Sequence, residues 1–214
     1  MEKQEPVDNA LPLPMFPLSS VLFPTTGVPL HIFEPRYIRL MDDLSNAPPH
    51  FGVVLITRGG EVGGANQRTD LGTMARITEK ALVGDGRWLI FAIGEKRIRV
   101  RNWLPDDPYP LALVEEVVDE PFDGDPFERF KELEKKLRYS LLLQGEISLT
   151  KSISPNIGLS RDPQEALWQM CALAPVSIMD QQSLLATLDA TRRADLLDQL
   201  LIEATTVLEA QLSL

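Results

Sequence analysis

The chain has 214 residues, 31 of them acidic and 21 basic, for a formal net charge of −10; at roughly 150 residues per domain this allows one large domain or two small ones. With 44% apolar and 24% charged residues it reads as an ordinary globular protein, and the single cysteine, Cys171, excludes a disulfide framework and a multi-cysteine zinc site and reads as a buried thiol. Residues 1–10 lack a secretory apolar core, no run approaches the roughly 18 apolar residues of a membrane span, and the acidity weighs against a general nucleic-acid or anionic-membrane binder, so a soluble, cytoplasmic protein is expected.

The first distinctive stretch is LPLPMFPLSSVLFPTTGVPLHIFEPRYIRLMDDL, residues 11–44. Pro12, Pro14, Pro17 and Pro24 lack N–H groups and fix φ, which keeps this segment out of central strands and helix interiors and sends it across the rim of a sheet. A strand is predicted at Val28–Phe33. Glu34-Pro35 ends it and opens a helix, with Pro35 in the first turn and Tyr37, Ile38, Leu40, Met41 and Leu44 on its apolar side.

Short apolar runs broken by Gly and Pro follow: 51–58, 73–83, 87–94, 96–103 and 109–120 all read as strands. Their spacing predicts a closed or nearly closed antiparallel sheet. Residues 58–70, with four glycines, read as a long mobile loop, and Gly84-Asp85-Gly86-Arg87 as a tight hairpin turn.

Near residue 121 the period becomes helical. Asp125-Pro126-Phe127-Glu128 carries a start signature, and Phe127, Phe130, Leu133, Leu137 and Leu141 follow as one apolar stripe. Residues 145–161 read as a loop. Asp162-Pro163-Gln164-Glu165 repeats the start for a short helix ending near Pro175, Asp180 is expected to cap a third helix, and residues 191–212 form a fourth with a seam at Leu197, Leu200, Ala204, Val207 and Gln211. The expected division is a sheet-bearing subdomain at 1–120 and a helical one at 121–214. Each half carries a net charge of −5, so there is no charged tail.

The N-terminal stretch resembles the substrate-binding domain of Lon-type ATP-dependent proteases. The resemblance is carried by Met15-Phe16-Pro17-Leu18, Val21-Leu22-Phe23-Pro24 and Val28-Pro29-Leu30-His31-Ile32-Phe33-Glu34-Pro35-Arg36-Tyr37, and continues in Phe51–Val54, Leu71–Ile77, Gly86–Val100 and 181–208. The family's glycine after the second Phe-Pro is Thr25 here, with a glycine at Gly27 instead. The resemblance implies an α+β fold, a PUA-like β-barrel followed by a C-terminal helical bundle. Lon proteases continue into an ATPase and a Ser–Lys protease domain. This sequence holds no G-x-x-x-x-G-K-[ST] loop and no serine in a recognisable nucleophile context, so a stand-alone, non-catalytic substrate-binding domain without cofactor is expected.

The resemblance implies a polypeptide ligand, unfolded or tagged, and an ATP-dependent protease as the partner that degrades it. The candidate peptide-binding residues are His31, Phe33, Arg36 and Tyr37; Arg and Tyr combine apolar area with directed polar groups. The plainer reading makes His31 a satisfied strand residue and Glu34–Arg36 a pair that ties the corner. A second candidate is an RNA-binding face from Arg97, Arg99, Arg101 and Trp103, against which stand the net charge and pairing with the acidic strand 115–120. No His, Asp or Glu spacing suggests a metal, and a Lon-associated peptidase activity is disfavoured for want of a nucleophile. Oligomeric state is open.

Overall fold

The computed structural model describes residues 10–45, 47–61, 66–120, 122–147, 154 and 157–213. The chain divides into two units, one of Met1–Leu22 with Gly27–Val117, the other of Phe23–Thr26 with Val118–Leu214.

The first unit is an antiparallel sheet of β1 (Leu11–Pro14), β2 (Gly27–Ile32), β3 (His50–Arg58), β4 (Gln67–Val83), β5 (Arg87–Leu104) and β6 (Leu111–Val117), with helix α1 (Pro35–Asp43) after β2. The ladder runs β1-β6-β5-β4-β3, and β2 pairs with β5 off this path. The expected closed barrel is not formed. Beyond β1 the chain passes alongside β3 through isolated parallel bridges, Met15 to Gly52 and Leu18 to Leu55, rather than a continuous ladder. Phe16 and Leu18 donate to Gly52 O (2.7 Å) and Val54 O (3.0 Å), and Pro14, the preceding alternate position, has no N–H to extend that pairing towards β1.

Two strands expected at 87–94 and 96–103 are one, β5, which shifts register against β4 between Met74 and Ala75 and so absorbs Glu95 as a bulge. β4 begins at Gln67, inside the stretch read as loop, of which residues 62–65 lie outside the described residues. The Gly84–Gly86 turn holds Asp85 and Gly86 at φ 64° and 74°, the left-handed geometry the Asp-Gly pair suits. One core gathers α1 residues Tyr37, Leu40 and Met41 with Phe51, Val53, Ile77 and Ile90; a second joins Leu13, Met15, Val54, Ile98 and Val114. Pro35 occupies the first turn of α1, with Glu34 extended before it, as the corner chemistry predicts.

The second unit holds α2 (Phe127–Ile147), α3 (Pro163–Leu173), α4 (Ile178–Ala186) and α5 (Ala190–Leu212). Asp125 accepts the Phe127 N–H and Asp162 those of Gln164 and Glu165, the caps their sequences announce. Asp180 does not cap α4. Ser177 does, and Asp180 is the N3 partner that bonds back to it in a capping box. Leu133, Leu137 and Leu141 are buried, whereas Phe127, first in the expected stripe, is 66% exposed. In α5, Leu197 and Leu200 are buried and Val207 is exposed, so the seam is a core contact only over its first half. Helices α2 and α5 run side by side in the same direction, joined by Lys136–Asp198, Ser140–Thr205 and Tyr139–Glu209. Arg193 is fully buried with its guanidinium 3.7 Å from the Trp168 ring centroid; it pairs with Asp119 and donates to Leu184 O. Cys171 is buried, and burial pushes its thiol up to about 12.

Candidate functional site

Strand β2 lies against β5 with Pro29 opposite Phe91 and His31 opposite Leu89. Side chains alternate along a strand, so Gly27, Pro29 and His31 share one face with Leu89 and Phe91. That face is open: Leu89 is 48% and Phe91 36% exposed, and Phe33, just past β2, is 51% exposed. The His31 and Phe33 rings are 5.8 Å apart. Gly27 is required here because a Cβ on it would lie 2.2 Å from Phe91 Cζ, so the Phe91 ring covers bare backbone.

Beside this face a cleft of about 240 Å³ opens between β2 and the start of α1, lined by Phe16, His31, Phe33, Glu34, Tyr37 and Glu61 among others. Three of the four sequence candidates, His31, Phe33 and Tyr37, thus meet in one cleft. Tyr37 is its floor: it is buried, stacks on Phe16 at 4.1 Å, and burial pushes its hydroxyl up to about 12, so it stays protonated. Arg36 stands at the edge, paired with Glu34 at 3.0 Å and donating to Glu61 O at 3.0 Å, with its guanidinium 4.6 Å from the Tyr37 ring. The Ser19 N–H in turn donates to Glu61 Oε1. The corner is therefore held in shape by one charge pair and the hydrogen bonds made by Glu61, while its apolar neighbours stay exposed.

The basic strand is arranged otherwise. Arg97 is only 1% exposed, Arg101 is paired with Glu115 at 2.6 Å, and Trp103 lies under Arg68, whose guanidinium is 4.6 Å from its ring. A register shift between Val100 and Asn102 falls at Arg101, so Arg97, Arg99 and Arg101 do not make one continuous exposed row. Lys96 pairs with Glu116 across the sheet.

A larger depression, of about 840 Å³, lies between β1 and the start of β3, with Leu11, Met74, Ile98 and Val114 in its lining and the Lys96–Glu116 pair at its edge. Its size exceeds that of the cleft, but it holds none of the exposed aromatics Phe33 and Phe91. Nearby His50 lies 3.0 Å from Glu95, which also takes Arg76. Burial would raise the Glu95 carboxyl, but the hydrogen bonds from Arg76 and His50 outweigh it and hold the group below its usual range.

Among the described residues no group of three or more His, Cys, Asp or Glu side chains could hold a metal ion, and no helix is long and apolar enough to cross a membrane. Leu89 and Phe91 are the site residues that sequence reasoning missed. In Trp88-Leu89-Ile90-Phe91-Ala92-Ile93 both faces are apolar, so alternation gives no sign of which one stays open. The only signal was Gly27, a strand glycine, which marks a close approach.

An open antiparallel sheet with a proline-marked corner, followed by a capped helical unit, defines the class: a two-unit α+β protein with an exposed apolar sheet face. The family profile for the ATP-dependent protease La (LON) substrate-binding domain matches residues 12–203, and the chain belongs to that family. The Lon protease of Roseiflexus castenholzii is 31% identical over 112 residues, 52% of this chain and 14% of that protein. Lon protease 2 of Bdellovibrio bacteriovorus is 24% identical over 208 residues, 93% of this chain and 25% of that one. The chain spans a quarter or less of these relatives' length. A crystal structure of a Lon N-terminal domain protein from Xanthomonas campestris superposes with a TM-score of 0.62 at 27% identity, covering 90% of this chain and 98% of that one. The N-terminal domain of Mycobacterium avium complex Lon protease shares the fold, with a TM-score of 0.64 at 16% identity over 92% of this chain and 98% of that one.

Proposed function

We propose that this chain is a non-catalytic polypeptide-binding module that serves as an adaptor for an ATP-dependent protease. The sheet-bearing residues 1–120 carry the binding surface, and the helical residues 121–214 form a second subdomain. The observation that carries this reading is the exposed apolar strip of Phe33, Leu89 and Phe91 beside His31, continuous with the cleft over Tyr37. Membership of a substrate-binding family supports it. An extended, unfolded segment suits such a strip: its apolar side chains seat on the rings, while Arg36 and Glu34 at the edge orient its polar backbone. Pro29, with no N–H, blunts β2 against simple strand addition. The contact is therefore side chain on face.

Fluorescence anisotropy with a labelled panel of reduced, carboxymethylated proteins tests the reading. Binding with a Kd below about 100 μM, roughly 5 kcal/mol, is expected, and Leu89→Ser with Phe91→Ser weakens it about tenfold or more. The reading is abandoned if no denatured chain binds in that range, or if the double substitution leaves binding unchanged.

A further inference from the structure

The helical unit carries a cavity that the strip does not use. It measures about 600 Å³ and lies between the first turns of α2 and α3 and residues 159–161. Its walls are apolar, with Phe127, Phe130, Leu159, Ala166 and Met170 among them. Phe127 is the residue that the α2 stripe would bury and that instead stands open at the cavity. Phe130 is braced edge-on by Phe122 at 5.0 Å.

The charge around this cavity is unbalanced. Four charged side chains line it: Asp125, Lys131, Glu134 and Arg161. Glu134 is neutralised by its pair with Arg138, while Asp125 keeps its charge with one oxygen on the Phe127 N–H, so the lining is left with one positive charge in excess. Lys131 and Arg161 make no ion pair among the described residues. An apolar cavity with two uncommitted cations at its edge, in a chain whose net charge is −10, is complementary to a group that is apolar and singly anionic. The first turns of α2 and α3 add positive potential on the same side.

We propose that this cavity takes the C-terminal end of a polypeptide, the last apolar side chains against Phe127 and Met170 and the α-carboxylate at Lys131 and Arg161. The proposal rests on the polypeptide-binding reading and adds the class of ligand, a free chain end. The volume falls within the roughly 300–1,000 Å³ of ligand sites, room for a few side chains and not for a folded surface. An α-carboxylate, with a pKa of about 3.5, is ionised at neutral pH, and a guanidinium can fork onto both its oxygens. An internal segment has no charge at the equivalent place, so the cavity separates chain ends from chain middles.

The test compares two fluorescein-labelled pentapeptides, Gly-Ser-Ala-Leu-Phe with a free carboxylate and the same peptide amidated, by anisotropy against the full chain. Amidation is expected to weaken binding about tenfold, equivalent to about 1.4 kcal/mol. Lys131→Glu with Arg161→Glu, both at exposed positions, removes that difference while the circular dichroism stays unchanged. Phe127→Ser, a second variant at an open position, weakens both peptides together. Equal binding of the two forms, binding of neither, a difference that survives the charge reversal, or displacement of the peptide by octanoate at equal concentration overturns the proposal. Where denatured proteins still bind through Leu89 and Phe91, only this proposal has failed; where they do not, the polypeptide-binding reading fails separately.

Discussion

Thr25 holds a backbone conformation that a β-branched residue seldom takes, with φ at 63°. The left-handed region costs an L-residue about 1–2 kcal/mol, and glycine escapes that cost at an entropic penalty of roughly 0.5–1 kcal/mol. The Thr25 hydroxyl adds to the burden, since its oxygen is buried with no hydrogen-bond partner among the described residues. This is the position where the Lon-type motif carries glycine, so the departure visible in the sequence is a substitution under strain, not a shift of the turn to Gly27. Gly27 has a different task, leaving room for the Phe91 ring. Thr25→Gly is therefore expected to raise stability by about 1 kcal/mol. In urea unfolding this appears as a higher midpoint at constant m-value. A lower midpoint would show that the threonine makes contacts worth more than its strain.

Among the elements, β5 shows most clearly what a sequence reveals and what it hides. Its 18 residues read as two strands because Gly94-Glu95-Lys96 looks like a turn, whereas the fold uses Glu95 as a bulge in one long strand. The bulge aims the Glu95 carboxylate at Arg76 on β4 and His50 on β3, and so ties three strands at one point. The helix caps at Asp125 and Asp162 were legible because capping is local chemistry, settled within three residues. The Ser177 cap was obscured because Asp180, its partner in the box, is itself a good cap. Burial of Arg97 was not legible at all: a strand's alternation says that two residues share a face, and only the rest of the fold says which face is covered. The Glu95 tie makes a prediction with a definite sign. The hydrogen bonds hold the folded carboxyl below its ordinary value of 4.5. Its stabilisation is then complete above that value and lost as pH falls through the lower folded one. Glu95→Gln should unfold more easily than the native chain at pH 7, and the gap between their urea midpoints should close as pH falls below the ordinary 4.5 and through the lower folded value. A gap that stays constant from pH 7 to pH 3 would mean that the charge contributes nothing and the loss is packing.

For the molecule as a whole, charge and apolar surface point to different ligands, and salt separates them. A chain at −10 repels phosphate at long range, and on its basic strand Lys96 and Arg101 are paired with Glu116 and Glu115, Arg97 is buried and Arg99 is half-buried. An RNA ligand held by arginines would release counterions, so its affinity would fall steeply with salt, by a slope of about −0.7 per phosphate contact for a single strand. An unfolded polypeptide seated on Phe33, Leu89 and Phe91 would be held by the removal of apolar area from water, which simple salt hardly screens and sulfate strengthens. The same anisotropy assay, run with a denatured chain of low net charge, should therefore change by less than about threefold between 50 and 500 mM NaCl, and tighten in sodium sulfate. A 12-nucleotide single-stranded RNA should not be retained even at 50 mM. The peptide at the Lys131–Arg161 cavity should behave between these limits, losing a few-fold over the same range because one carboxylate is screened while its side chains are not. A hundredfold loss of denatured-chain binding with salt would relocate the site from the apolar face to a charged one, and with it the reading of the exposed strip as the surface this family member uses.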